Sequence, residues 1–210
     1  MKTDDLIAAL AADTLPQQSV GQRSWRVLPV AIGLSALAFV VFWGPRSDIR
    51  EAMASAVALK TVLPLVLVVQ SGLLAFALAH PGMHARARQA ALGALASGLA
   101  GAFAIVLARE GFAGLTTALV TPSLMVCLLS IPALAIPILG GMLWVLSTGA
   151  ALRPRQAGAA AGLVAGGVAA SIYSLYCDQD AALFVIPAYS AAILILALAG
   201  ALVGPRLLKW

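Results

Sequence analysis

Charge is scarce in this sequence. Asp, Glu, Lys and Arg make up 10% of its 210 residues, where a soluble domain carries about 25%. Aromatic residues make up 6%, and there are two cysteines. The shortage of charge excludes an ordinary soluble globular protein and a disordered chain. Two cysteines are too few for a disulfide-stapled secreted scaffold. The short signatures of catalysis are missing as well: the chain has no H-E-x-x-H, no G-x-S-x-G and no Walker lysine loop. No Asp or Glu falls inside any of the long apolar runs. That last absence argues against ion- or proton-coupled transport, because ionisable groups are kept in hydrocarbon only for use.

Hydrophobic residues, by contrast, make up 62% of the chain. They gather into six runs, at about 27–43, 54–79, 89–108, 119–146, 157–176 and 183–202. Each run is near or above the roughly 20 residues that a helix rising 1.5 Å per residue needs to cross a bilayer core. A barrel would show alternating segments of about ten residues instead. The expected fold is therefore all-α: a polytopic membrane protein built as a bundle of six transmembrane helices, with a short cytoplasmic N-terminal helix. Residues 1–26 form the cytoplasmic segment and 27–210 the membrane domain.

Basic residues set the orientation. With the N-terminus in the cytoplasm, Lys2, Arg23, Arg26, Arg86, Arg88, Arg153, Arg155, Arg206 and Lys209 all lie inside, and Arg46, Arg50 and Arg109 outside. Cytoplasmic loops carry the excess of Lys and Arg, so both termini are placed inside, most simply at a bacterial inner membrane. The net charge of +5 then reflects membrane topology, with no direct nucleic-acid contact expected.

The polar start, MKTDDLIAALAADT, reads as a short amphipathic helix. Thr3 can cap it, and Asp4 and Asp5 sit in the first turn, where acid complements the helix dipole. Leu6, Ile7 and Leu10 fall on one face. Pro16 ends it, and residues 17–24 read as a tether.

Gly158, Gly162 and Gly166 form a ladder on the fifth run, and Gly200 and Gly204 repeat the spacing on the sixth. Such positions let helix backbones approach closely. Packing within one subunit is the simpler use of them, and a homodimer the other. Pro122, Pro132 and Pro137 interrupt the fourth run and invite kinks. Lys60 is expected to snorkel to the outer surface. His80 and His84 share a loop with Pro81 and Gly82, which reads as a solvated turn and not as a metal site.

The two cysteines stand out. Cys177 is in the outer loop after the fifth helix. Cys127 lies on the fourth helix, roughly 10 Å below the same surface. Two thiols at similar depth can be inert packing, a disulfide in an oxidising compartment, or a site for a soft cation. Met125 could add a thioether.

The opening MKTDDLIAALAADT, the cysteine in the fourth helix, the Y-x-x-x-C segment before the last helix and the ending GALVGPRLLKW together carry a resemblance. The chain resembles the NrsF family of bacterial membrane anti-sigma factors, negative regulators of an extracytoplasmic-function sigma factor. Tyr176 stands where the family usually has a histidine, and Ala188 and Tyr189 where it usually has a tryptophan–tyrosine pair. The resemblance implies a regulator and not an enzyme. Its N-terminal segment would hold the sigma factor at the bilayer, with Leu6, Ile7 and Leu10 docked in a groove and Asp4 and Asp5 meeting basic residues. Cys127 and Cys177 would sense heavy metal, binding copper, cadmium or a similar soft ion transiently, with no permanent cofactor. The rival reading is a small membrane transporter or metal exporter that uses the same cysteines as ligands.

Overall fold

The computed structural model describes Thr3 and residues 19–80, 83, 85–149 and 151–208. Every regular element among them is a helix: α1 (Val20–Phe42), α2 (Ile49–Ala54), a 3-10 turn (Ala56–Ala58), α3 (Leu59–Ala79), α4 (Arg86–Leu119), α5 (Pro122–Leu146), α6 (Pro154–Tyr173) and α7 (Ala182–Leu207). All but α2 and the 3-10 turn are long and apolar enough to cross a membrane. The six expected spans are therefore present. The N-terminal helix expected before Pro16 lies outside the described residues.

Several boundaries differ from the hydropathy runs. Helix α1 starts at Val20, inside the stretch expected to be a tether, because Ser19 and Gln22 form a capping box: the Ser19 hydroxyl accepts from the Gln22 N–H at 3.2 Å. Helix α4 runs to Leu119, with a break at Gly111 (φ 72°, ψ 175°). Only glycine adopts that conformation without strain, so the break falls just after the charged pair Arg109 and Glu110. Pro122 does not interrupt a helix. It sits in the first turn of α5, where no N–H is needed, while Pro132 and Pro137 lie inside.

Helix α6 is the centre of the bundle, packed on α3, α5 and α7. The glycine ladder explains the closest of these contacts. A Cβ on Gly158 would collide with the carbonyl of Gly200, one on Gly162 with the carbonyl of Leu196, and one on Gly204 with the carbonyl of Pro154. The ladder thus serves packing between α6 and α7 within one chain. Helix α3 meets α6 at Gly167, against Val68 and the Pro64 carbonyl. Helix α1 rests chiefly on α5, and α4 buries none of its described residues.

The described connections between helices sort into two groups. Arg46 after α1 and Asp180 before α7 are in contact at one end of the bundle. Ala79 and Gly149 approach each other at the opposite end.

Candidate functional site: a buried thiol pair beside an ion network

The first two turns of α5 carry Cys127 to a position with no exposed surface. Cys177 arrives from the other side. Helix α6 ends at Tyr173, and a tight turn in which the N–H groups of Tyr176 and Cys177 both donate to the Tyr173 carbonyl folds Cys177 back onto the bundle, 3% exposed. Both cysteines are free, and they are near enough for Cys127 to influence the ionisation of Cys177. Both thiols thus lie at the same end of the bundle.

Around the thiols stand Tyr173, Tyr176 and Tyr189. The Tyr173 ring lies 5.7 Å from that of Tyr176 and 6.4 Å from that of Tyr189. The Tyr189 hydroxyl is buried and has no hydrogen-bond partner among the described residues. An orphaned hydroxyl in apolar surroundings costs free energy, and this one adjoins Cys177. A cleft of about 290 Å³ opens at this end, lined by Pro122, Ser123, Val126, Tyr173, Tyr176, Cys177 and Asp178. It reaches Cys177 first, with Cys127 sealed behind.

A polar network clamps the Cys177 loop. Lys60, at the start of α3, donates to the Cys177 carbonyl and to Asp180 Oδ1, each at 2.5 Å. Arg46 donates to the same carbonyl at 3.2 Å, to Asp180 at 3.1 Å and to Asp48 at 2.6 Å. Its backbone N–H donates to the Leu175 carbonyl at 2.9 Å. Thr61 and Ser174 share a hydrogen bond of 2.6 Å just beneath. Three separate stretches of chain are tied here.

Lys60 does not snorkel to the surface: it is 8% exposed and paired inward. A buried ammonium needs such a partner, because an unpaired charge there would be costly. Burial opposes ionisation of Asp180, but hydrogen bonds from Arg46 and Lys60, with their charges, outweigh it and hold the carboxyl below its ordinary value. The hydrogen bonds from Arg46 also hold Asp48 low, and those to Asp48 and Asp180 raise Arg46. The Cys177 thiol is drawn below its ordinary value, first by hydrogen bonding with Cys127 against the opposing effect of burial, then by the backbone at Gln179 and the charge of Lys60.

Met125 is 66% exposed, whereas both thiols are buried. Asp4, Asp5, Leu6, Ile7 and Leu10 lie outside the described residues. Arg46, Lys60, Asp180 and Tyr189 belong to the site and were not singled out for it from sequence. Among the described residues no three His, Cys, Asp or Glu side chains cluster as metal ligands. Two adjacent sulfurs suit a soft cation of low coordination number, or a disulfide, and not a four-ligand structural zinc.

Six helices long enough and apolar enough to cross a membrane, with two buried thiols at one end, give the architecture of a polytopic helical membrane protein. The chain belongs to the NrsF family, negative regulators of sigma F, whose family pattern matches residues 9–210. It is 33% identical, over the full length of both chains, to the anti-sigma-F factor NrsF of Caulobacter vibrioides. It is 31% identical, again over both full lengths, to the probable anti-sigma-F factor NrsF of Azospira oryzae. No solved structure matches the chain.

Proposed function

We propose that the protein holds an extracytoplasmic-function sigma factor at the bacterial inner membrane through residues 1–26, and releases it when Cys127 and Cys177 capture a soft metal ion such as copper or cadmium. Membership of a family of sigma-factor regulators supports the partner class. The excess of Lys and Arg in the loops on one side supports cytoplasmic termini and thiols that face the periplasm. The apolar face of Leu6, Ile7 and Leu10 suits a helix-in-groove contact, flanked by Asp4 and Asp5 for basic residues of the sigma factor.

The observation that carries the sensing role is the burial of two free thiols at one end of the bundle, beside a cleft lined by Cys177. Thiolates select soft cations, and the orphaned Tyr189 hydroxyl gains an anionic acceptor once Cys177 ionises. A captured ion lowers sigma affinity only by favouring the released conformation. The usual range of coupling, 1–3 kcal/mol, corresponds to roughly 5–150-fold.

The test is a sigma-dependent reporter titrated with copper or cadmium salts. Cys127→Ser and Cys177→Ser should each keep the sigma factor bound yet abolish the response. The double variant should be no worse than either single one, since losing one sulfur already removes the chelate. A normal response in either single variant overturns the paired sensor. Undiminished co-purification of the sigma factor after deletion of residues 1–15 overturns the N-terminal docking site.

A further inference from the structure

We infer that α5 transmits the signal from the thiols to the sigma-binding segment, gripping α1 at Ser35 through the Leu134 carbonyl and at Arg23 through the Trp144 ring. The inference rests on the proposed function, because it takes residues 1–26 as the output and Cys127 with Cys177 as the input.

The two sides of the thiol pair are held differently. Cys177 belongs to a fixed frame. Its loop is tied to α3 and to the end of α1 by Lys60, Arg46 and Asp180, and α6 and α7 are locked at Gly158 and Gly200 with no room for a side chain. Cys127 rides on α5, whose interior contains Pro132 and Pro137. Each proline removes an N–H, so the Leu128 and Ala133 carbonyls lose their helical donors and the helix is soft there. An ion or bond that draws the sulfurs together therefore displaces α5, the less constrained side.

Helix α5 reaches the output directly. From Cys127 to Trp144 it rises about 25 Å at 1.5 Å per residue, most of a bilayer core. Along that length it is the principal support of α1. Of α1, only Val20, Ala31, Ser35 and Phe39 are buried. Ser35 Oγ donates to the Leu134 carbonyl at 2.8 Å and, locally, to the Ala31 carbonyl at 3.1 Å. A Cβ on Gly141 would lie 3.2 Å from the Ala31 Cβ and 3.3 Å from Val27 Cγ1, so the helices touch closely there. At the far end the Arg23 guanidinium lies over the Trp144 ring, 4.5 Å from its centroid, a cation–π contact. Arg23 is in the first turn of α1, four residues after Ser19. The sensor helix thus ends on the residues where the proposed sigma-binding segment enters the membrane. This is a contiguous set of packed contacts, and coupling along it is measurable.

The experiment uses the full chain in lipid nanodiscs with its sigma factor. Sigma affinity is measured with and without cuprous ion, and free thiols are titrated in each variant. Ser35→Ala with Trp144→Leu should leave two reactive thiols that still disappear with cuprous ion, while the metal-induced fall in sigma affinity shrinks several-fold relative to wild type. Trp144→Phe, which keeps an aromatic face for Arg23, should restore most of it. A full metal response in the Ser35→Ala/Trp144→Leu variant overturns the inference while leaving the sensor reading intact. Failure of the wild type to respond to cuprous ion overturns the proposed metal trigger instead. In that case the grip is judged without metal: Arg23→Gln and Trp144→Leu should change sigma affinity non-additively, the double variant matching either single one. Additive or null effects overturn the inference.

Discussion

The ammonium of Lys60 donates to the carbonyl oxygen of Cys177 at 2.5 Å, although 117 residues separate the two in sequence. The same ammonium meets Asp180, so one buried cation fixes both the main chain of a proposed sensor cysteine and the carboxylate three residues on. The pair is kept in a part of the protein where a well-packed apolar residue would cost less. Its value is positional: it holds the Cys177 loop against the start of α3 while the thiol stays free.

Lys60 and Cys127 should both move the ionisation of Cys177, and by different amounts. The thiol is held below its ordinary value, with Cys127 as the largest downward influence and Lys60 a lesser one. Cys127→Ala should shift the pH midpoint of Cys177 alkylation upward most, and Lys60→Met should shift it upward less. The measurement is the rate of iodoacetamide labelling between pH 5 and 9, followed by mass spectrometry of the Cys177 peptide. A larger shift from Lys60→Met than from Cys127→Ala would show that the cation, not the second thiol, governs the site.

Acid should loosen the same end of the molecule. Asp180 and Asp48 both have folded-state pKa values below their unfolded ones. A depressed carboxylate stabilises the fold fully above its unfolded pKa, near 4, and that contribution is lost as pH falls through the lower, folded value. The wild type should therefore lose thermal stability as pH falls below about 5, measured by unfolding in detergent. Asp180→Asn should start less stable at pH 7 and show a flatter acid limb. An acid limb as steep as that of the wild type would place the acid sensitivity elsewhere.

Much of this architecture was readable from one dimension. Six apolar runs mark six helices because hydrocarbon tolerates no unpaired backbone, and helices satisfy their own. The Gly158–Gly162–Gly166 spacing marked a close contact, and the matching Gly200 and Gly204 marked its partner. Cys127 and Cys177 could be placed at the same end because depth follows from residue count once helix direction is known. The ion network was not legible. Lys60 at the end of a run looks the same whether it reaches water or turns inward, and only the fold brings Asp180 beside it. The orphaned Tyr189 hydroxyl was equally hidden, since a tyrosine in an apolar run gives no sign of what its oxygen meets. Pro122 misled for a related reason: a proline breaks a helix or begins one according to where the preceding turn ends.

Glycines on different helices should respond oppositely to substitution. Gly162→Leu puts a side chain into the Leu196 carbonyl and the backbone beside it. Backbone cannot give way as a flexible side chain can, so the loss should exceed the about 1–3 kcal/mol of ordinary overpacking, seen as low yield of folded protein. Gly98→Ala on α4 meets nothing within 4 Å and should be neutral or mildly stabilising, because glycine is the weaker helix former. Equal effects at both positions would contradict the close α6–α7 contact.

The side of the membrane on which each end lies is open to direct test. The structure groups the connections: Arg46 and Asp180 share one end, while Ala79 with Gly149, and Gln89 with Gln156 at 3.3 Å, share the other. Charge then assigns the ends, since Arg86, Arg88, Arg153 and Arg155 flank the second group and Lys and Arg concentrate on the cytoplasmic side. In a background with Cys127→Ser and Cys177→Ser, single cysteines would be placed at Asp178 and, separately, at Met83. A membrane-impermeant maleimide applied to intact spheroplasts should label Asp178→Cys and leave Met83→Cys unlabelled until the cells are lysed. The reverse pattern would put the thiol pair in the cytoplasm and the N-terminal segment outside, where it could not reach a sigma factor. Labelling of both before lysis would break the grouping of connections itself. Labelling of Asp178→Cys alone places the cleft at Cys177 on the periplasmic side and the start of α1 on the cytoplasmic side, as the proposed sigma-factor docking requires.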